Sequence, residues 1–91
     1  MSKIDRLVAK IASYKYEDLS RIDKDIELMK GITNALHGEI AKYGDLEKLN
    51  DPKQAWYSNA KDSYEDQLEK IDAVTLQLIS KKLTLTPQET I

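Results

Sequence analysis

Ninety-one residues amount to one domain at most, and the absence of Cys removes both a disulfide framework and a thiolate metal site. Lys and Arg number 14 against 16 Asp and Glu, with both signs interspersed, so no basic block exists to follow a nucleic-acid backbone. No apolar run nears the roughly 20 residues that span a bilayer, and Met1–Asp5 lacks the apolar core of a signal peptide. These features predict a cytoplasmic protein with no membrane insertion. Export together with a partner, without a cleaved signal, stays open.

The first stretch carries Ile4, Leu7, Val8, Ile11, Leu19, Ile22, Ile26, Met29, Ile32, Leu36, Ile40 and Tyr43 at helical spacing, with Tyr14 or Lys15 filling the gap after Ile11. The spacing predicts one helix over about residues 3–43, with Ser2 and Asp5 as a weak N-terminal cap. Glu17 and Arg21 are four apart in the favourable order for an ion pair. Two places offer a break in this arm. One is Ser20-Arg21-Ile22-Asp23, which can cap a new helix. The other is the segment from Gly31 to Gly38, where each glycine costs about 1 kcal/mol relative to Ala. These two glycines lie one heptad apart, which suits either a kinked helix or the close approach of a partner's backbone.

Residues 44–51 read as the turn. Gly44 suits a helix C-cap, and Asp51-Pro52-Lys53-Gln54 has the form of an N-cap followed by Pro at the first helical position. Leu46 and Leu49 are expected to tuck against the helix ends. The second helix is then predicted from Pro52 to about residue 84. Its apolar ladder is Trp56, Ala60, Tyr64, Leu68, Ile71, Val74 and Leu78, with Asp66 and Lys70 paired on an outer face. Residues 86–91 read as a loose tail.

The reading is therefore all-α: two long antiparallel helices in a single hairpin domain over residues 1–85. Two helices of this length leave apolar stripes uncovered, so a partner chain is expected to complete a four-helix or larger bundle.

Nothing in the chain announces a reaction. His37 is the only histidine, and its neighbours Leu36 and Gly38 supply no nucleophile or orienting group. The acidic groups Asp18, Asp23, Asp25 and Glu27, and Asp62, Glu65, Asp66 and Glu69, lack the spacing of a calcium loop and read as solvated faces. No catalytic residue, cofactor or metal site is predicted. Recognition remains, and Trp and Tyr are the side chains that most often anchor interfaces. Adjacent on a helix, Trp56 and Tyr57 point about 100° apart, so one can pack inward while the other faces a partner.

The segment Trp56-Tyr57-Ser58-Asn59-Ala60-Lys61-Asp62-Ser63-Tyr64, continued by Glu65, Asp66, Gln67 and Leu68, resembles the WXG-type helical hairpins of type VII secretion. In that family a Trp-x-Gly turn is followed by a small residue and an aromatic on one helical face. Ser58 stands in the glycine position here, and Thr84–Ile91 carries no Tyr followed four residues later by an acid. The resemblance thus implies a diverged relative: a small partner or targeting chaperone that binds the helical N-terminal domain of an LXG-type toxin. The implied partner is another helical protein, either a toxin or effector domain or a small helical paralogue, or the chain itself. Trp56, Tyr57, Ala60, Tyr64, Leu68, Gly31 and Gly38 would form the partner surface. Two alternatives share the size and helical content. One is a type III secretion chaperone of a needle or filament subunit. The other is a bacteriocin immunity-type bundle, which requires the first arm to break near Ser20 or Gly31.

Overall fold

The computed structural model describes residues 3–49 and 51–86. Within them the chain is all-helical, in three helices: α1 (Lys3–Ser13), α2 (Leu19–Glu47) and α3 (Gln54–Leu85). Ser2 of the expected cap, Asn50 of the turn and residues 87–91 of the expected tail lie outside the described residues.

The first arm is two helices instead of one. α1 closes with the Tyr14 N–H donating to the Ile11 carbonyl, and the chain then runs without regular structure to Asp18. Asp18 has extended backbone (φ −128°, ψ 124°), and its Oδ1 accepts the Ser20 N–H at 2.9 Å. This caps α2 two residues ahead of the Ser20 position that the sequence offers. A tertiary contact fixes the break. Tyr16 is buried, and its hydroxyl donates to Asp25 Oδ2, which also accepts from Arg21 Nε at 3.4 Å. Neither Tyr14 nor Lys15 fills the apolar gap; Tyr16 does. Arg21 is likewise paired with Asp25 in place of the expected Glu17.

α2 then continues unbroken through Gly31, Gly38 and Gly44. None of these glycines has positive φ, so Gly44 is an ordinary helical residue and not the predicted cap. The helix stops at Lys48, whose N–H reaches back to the Asp45 and Leu46 carbonyls. In the turn, Asp51 Oδ1 accepts the Lys53 N–H at 2.8 Å and its carbonyl accepts the Gln54 N–H at 3.0 Å. Asp51 and Pro52 form a turn ahead of α3 and are not its N-cap and first residue: Lys53 holds the N-cap position without a side-chain cap bond, and the helix opens at Gln54. Gln54 Nε2 donates to the Glu47 carbonyl at 3.0 Å and ties the two helix ends together. Leu46 is half-buried there, whereas Leu49 stays 54% exposed and does not tuck in.

α2 and α3 run antiparallel. Glu47 pairs with Lys61 at 2.8 Å near the turn, and Asp23 pairs with Lys82 at 2.7 Å at the far end. α1 lies along the C-terminal half of α3 in the same direction, held by Asp5 to Lys70 (2.9 Å) and by Lys81 Nζ donating to the Tyr14 carbonyl (3.4 Å). It packs on α3 and, among the described residues, brings no Cα within 8 Å of α2. The Cα trace spans 62 × 29 × 15 Å, so the molecule is long and thin.

This arrangement gives the molecule two unlike ends. The buried apolar set is Ile11, Tyr16, Ile22, Ile26, Met29, Leu36, Ile71, Val74 and Leu78, with Ile4, Leu7 and Val8 of α1 packed against it. All of it lies where three helices meet or close by. From residue 37 to residue 70, no described residue is buried. Two helices alone cannot enclose a side chain, and that half of the molecule consists only of α2 and α3.

Candidate functional site

The two-helix end carries a cluster of aromatic side chains. Tyr43, near the end of α2, is its hub. The Tyr43 ring stacks on Tyr64 (centroids 5.7 Å apart, planes at 20°), lies 6.2 Å from Tyr57, and meets Trp56 edge-to-face at 5.8 Å. Trp56 and Tyr57 also contact edge-to-face at 5.5 Å. Lys42 Nζ sits 5.4 Å from the Tyr43 centroid, within reach of its π face. Such pairs prefer offset and edge geometries and add about 0.5–1.5 kcal/mol beyond the area they bury.

Trp56 nevertheless remains 59% exposed while Tyr57 and Tyr64 are half-buried. Its ring is held by two neighbours and presents the rest of its surface outward. Pro52, Lys53, Ala55, Trp56 and Tyr57 line an open hollow of about 580 Å³ beside it. Beneath the cluster, the carboxylate of Glu47 accepts from Lys61 and, together with nearby Glu65 and Asp62, holds the amine above its ordinary value of 10.5. The result is an aromatic platform with the Glu47–Lys61 ion pair beside it. It offers aromatic π faces and an exposed indole.

Of the residues singled out in the sequence, the fold brings Trp56, Tyr57, Ala60 and Tyr64 along one end of α3, with Leu68 continuing toward the core. Gly31 and Gly38 are not part of that group. They are exposed on α2, about 120–140° around the helix from Tyr43, and a Cβ added to either meets nothing within 4 Å. Tyr43 was visible only as the last step of the α2 ladder. Its role as hub follows from its position across the turn from Trp56.

A second polar constellation lies at the three-helix end. Tyr16, Asp25 and Arg21 form a hydrogen-bonded group beside a groove of about 130 Å³, which Leu7, Lys10, Ile11, Tyr14 and Leu28 also line. Burial, then the bond to Asp25, pushes the Tyr16 phenol well above its ordinary value of 10.0. Tyr14 meets Tyr16 edge-to-face at 4.6 Å, with Arg21 over the Tyr14 ring and Lys81 over the Tyr16 ring. These groups are mutually satisfied and read as the brace of the α1–α2 corner.

The predicted acidic face of α2 is therefore divided among separate tasks. Asp18 caps, Asp23 pairs with Lys82, Asp25 is buried with Tyr16, and Glu27 pairs with Lys30 at 3.3 Å. On α3, Asp66 pairs with Lys70 at 3.2 Å. His37 is exposed. Among the described residues no group of three or more His, Asp or Glu comes together to hold a metal ion, and no helix is long and apolar enough to cross a membrane. Comparison with known proteins adds no relative: no family model matches the chain, and no curated protein or solved structure shows a significant likeness to it.

Proposed function

We propose that this chain is a non-enzymatic helical interaction module, a small partner or targeting chaperone that binds a helical domain of a secreted toxin or effector in a type VII-like system. One observation carries the reading. The half of the molecule without a buried residue is the half that presents Trp56 on a pre-formed aromatic platform. A partner helix laid along α2 and α3 there would supply the missing third or fourth layer and bury the exposed indole. The resemblance of Trp56–Tyr64 to the WXG segment points the same way.

The experiment is co-expression with the helical N-terminal domain of an LXG-type toxin, followed by sedimentation of the mixture and titration calorimetry. A defined complex is expected, weakened by Trp56→Ala about 5- to 150-fold (~1–3 kcal/mol) with the free protein's fold intact. No complex, or equal affinity for both forms, would contradict the reading.

The corner before Leu19 favours a second reading, because a bacteriocin immunity-type bundle requires the first arm to break near there. A protection assay separates the two. Cells expressing the chain would survive a cognate bacteriocin under the second reading and gain nothing under the first.

A further inference from the structure

We infer that α1 can exchange between two copies of this chain, with Tyr14–Asp18 as the hinge. At the level of the backbone α1 packs on α3 and not on α2, which it meets only through side chains around the small groove of Leu7, Ile11 and Leu28 and through the five-residue corner. That corner, Tyr14-Lys15-Tyr16-Glu17-Asp18, contains no Gly or Pro, so each residue accepts helical backbone. The apolar ladder also stays in phase across it. Ile11 and Ile22 are eleven residues apart, three helical turns, and share one face if the corner becomes helical. The same sequence therefore supports a bent arm and a straight one.

Direction makes the straight form self-complementary. In the bent form α1 runs parallel to α3 and antiparallel to α2, with its C-terminal end near Lys81. Straightening the corner sends α1 outward past the bundle end as a continuation of α2, a helix of 45 residues and about 68 Å. A second copy placed end to end offers its α3 to that projecting segment in the orientation α1 already uses. A two-fold axis across the long direction satisfies both exchanges at once and closes the assembly. Ile4, Leu7, Val8 and Ile11 then cover the second copy's α3, and Asp5 meets the second copy's Lys70. Every α1–α3 contact is kept. The Tyr16–Asp25 bond and the Asp18 cap hold the bent form when copies are scarce.

The test refolds the full chain from denaturant at micromolar and at millimolar concentration, as an equal mixture of nitrogen-15-labelled and natural-abundance protein. Monomer and dimer are separated by size. A carbodiimide then joins Asp5 to Lys70 across their ion pair, and the mass of the linked peptides tells whether one or two chains supplied them. The millimolar sample is expected to yield a dimer whose Asp5–Lys70 links include mixed-isotope pairs, while the monomer gives unmixed links only. Glu17→Pro, which forbids the straight helix, should keep the chain monomeric. Asp18→Ala, which removes the cap of the bent form, should raise the dimerisation constant about fivefold per chain. A chain that stays monomeric at millimolar concentration even with Asp18→Ala overturns the inference. A dimer whose Asp5–Lys70 links are all unmixed overturns it equally.

Discussion

Replacing Tyr16 by Phe deletes a single oxygen and keeps the ring that fills the corner between α1 and α2. The loss falls on Asp25, a carboxylate only 9% exposed, whose remaining partner is Arg21 Nε at 3.4 Å. A hydrogen bond to a charged acceptor is worth about 1.5–3 kcal/mol, and the surviving Arg21 contact places the expected loss near the lower end, about 1.5–2 kcal/mol. For a domain of this size that lowers the melting midpoint by roughly 6–16 °C. Urea unfolding at pH 7, followed by helical circular dichroism, measures it, and a double-mutant cycle with Asp25→Ala should return a coupling of similar size.

The pH dependence gives a second reading of the same bond. The folded phenol is held above its ordinary value of 10.0, so above pH 10 the unfolded chain loses this proton while the folded chain keeps it. The unfolded state then binds fewer protons, and stability falls by up to about 1.4 kcal/mol per pH unit. Below pH 10 the contribution is fully present. Lys61 and Lys70, raised by their carboxylate partners, push in the same direction above pH 10.5. Tyr16→Phe should therefore unfold more easily at pH 7 yet lose less on going to pH 11. A loss under about 0.5 kcal/mol at pH 7, with an unchanged alkaline slope, would refute the assignment of the corner to this bond.

Ile71 is fully buried, and Ile71→Ala should cost about 2–5 kcal/mol in the same urea assay, whereas Leu76→Ala, at a site 68% exposed, should stay within about 0.5 kcal/mol. Gly31→Ala and Gly38→Ala should each stabilise the free protein by about 0.5–1 kcal/mol, because both are helical and the new methyl meets nothing. If a partner's backbone approaches these glycines closely, the same variants would weaken the complex while strengthening the free chain. Trp56→Ala should cost the free chain only about 0.5–1.5 kcal/mol, the worth of its ring contacts with Tyr43 and Tyr57, and a loss of about 3 kcal/mol or more would place Trp56 in the core.

Periodicity identified the core-facing residues of the long helices with good effect. Ile22, Ile26, Met29 and Leu36 on α2, and Ile71, Val74 and Leu78 on α3, are buried, whereas the burial of Asp25, which the sequence placed on a solvated face, was not legible. Periodicity alone did not reveal the corner at Tyr14–Asp18, because the ladder stays in phase there and no Gly or Pro marks a stop. The capping signal at Ser20 did offer a break, two residues from the Asp18 cap that forms. The break depends on the local Asp18 cap and on contacts that the apolar ladder does not encode, Tyr16 with Asp25 nine residues on and Asp5 with Lys70 across the fold. Gly44 misled for a related reason. A glycine disfavours a helix by only about 1 kcal/mol, and the helix here is held on both sides of it by packing on α3 and by the Glu47–Lys61 pair.

The candidate site was legible in its residues and less so in its depth. Trp56 follows the same ladder as Tyr64 and Leu68, yet it lies opposite the last turns of α2, where only Tyr43 remains to meet it. Spacing tells which face a residue occupies; it does not tell how far the facing helix extends. The ladder consequently passes from buried at Ile71 through half-buried at Leu68 and Tyr64 to exposed at Trp56, over about four turns of α3.

Amide hydrogen exchange on the free chain and on its complex with the proposed helical partner tests the central claim most directly. In the free protein, amides of residues 37–64 should exchange markedly faster than those of residues 20–36 and 70–80. Partner binding should slow exchange around Tyr43 and Trp56–Tyr64. Protection gained elsewhere, or none gained at the aromatic end, would contradict the account.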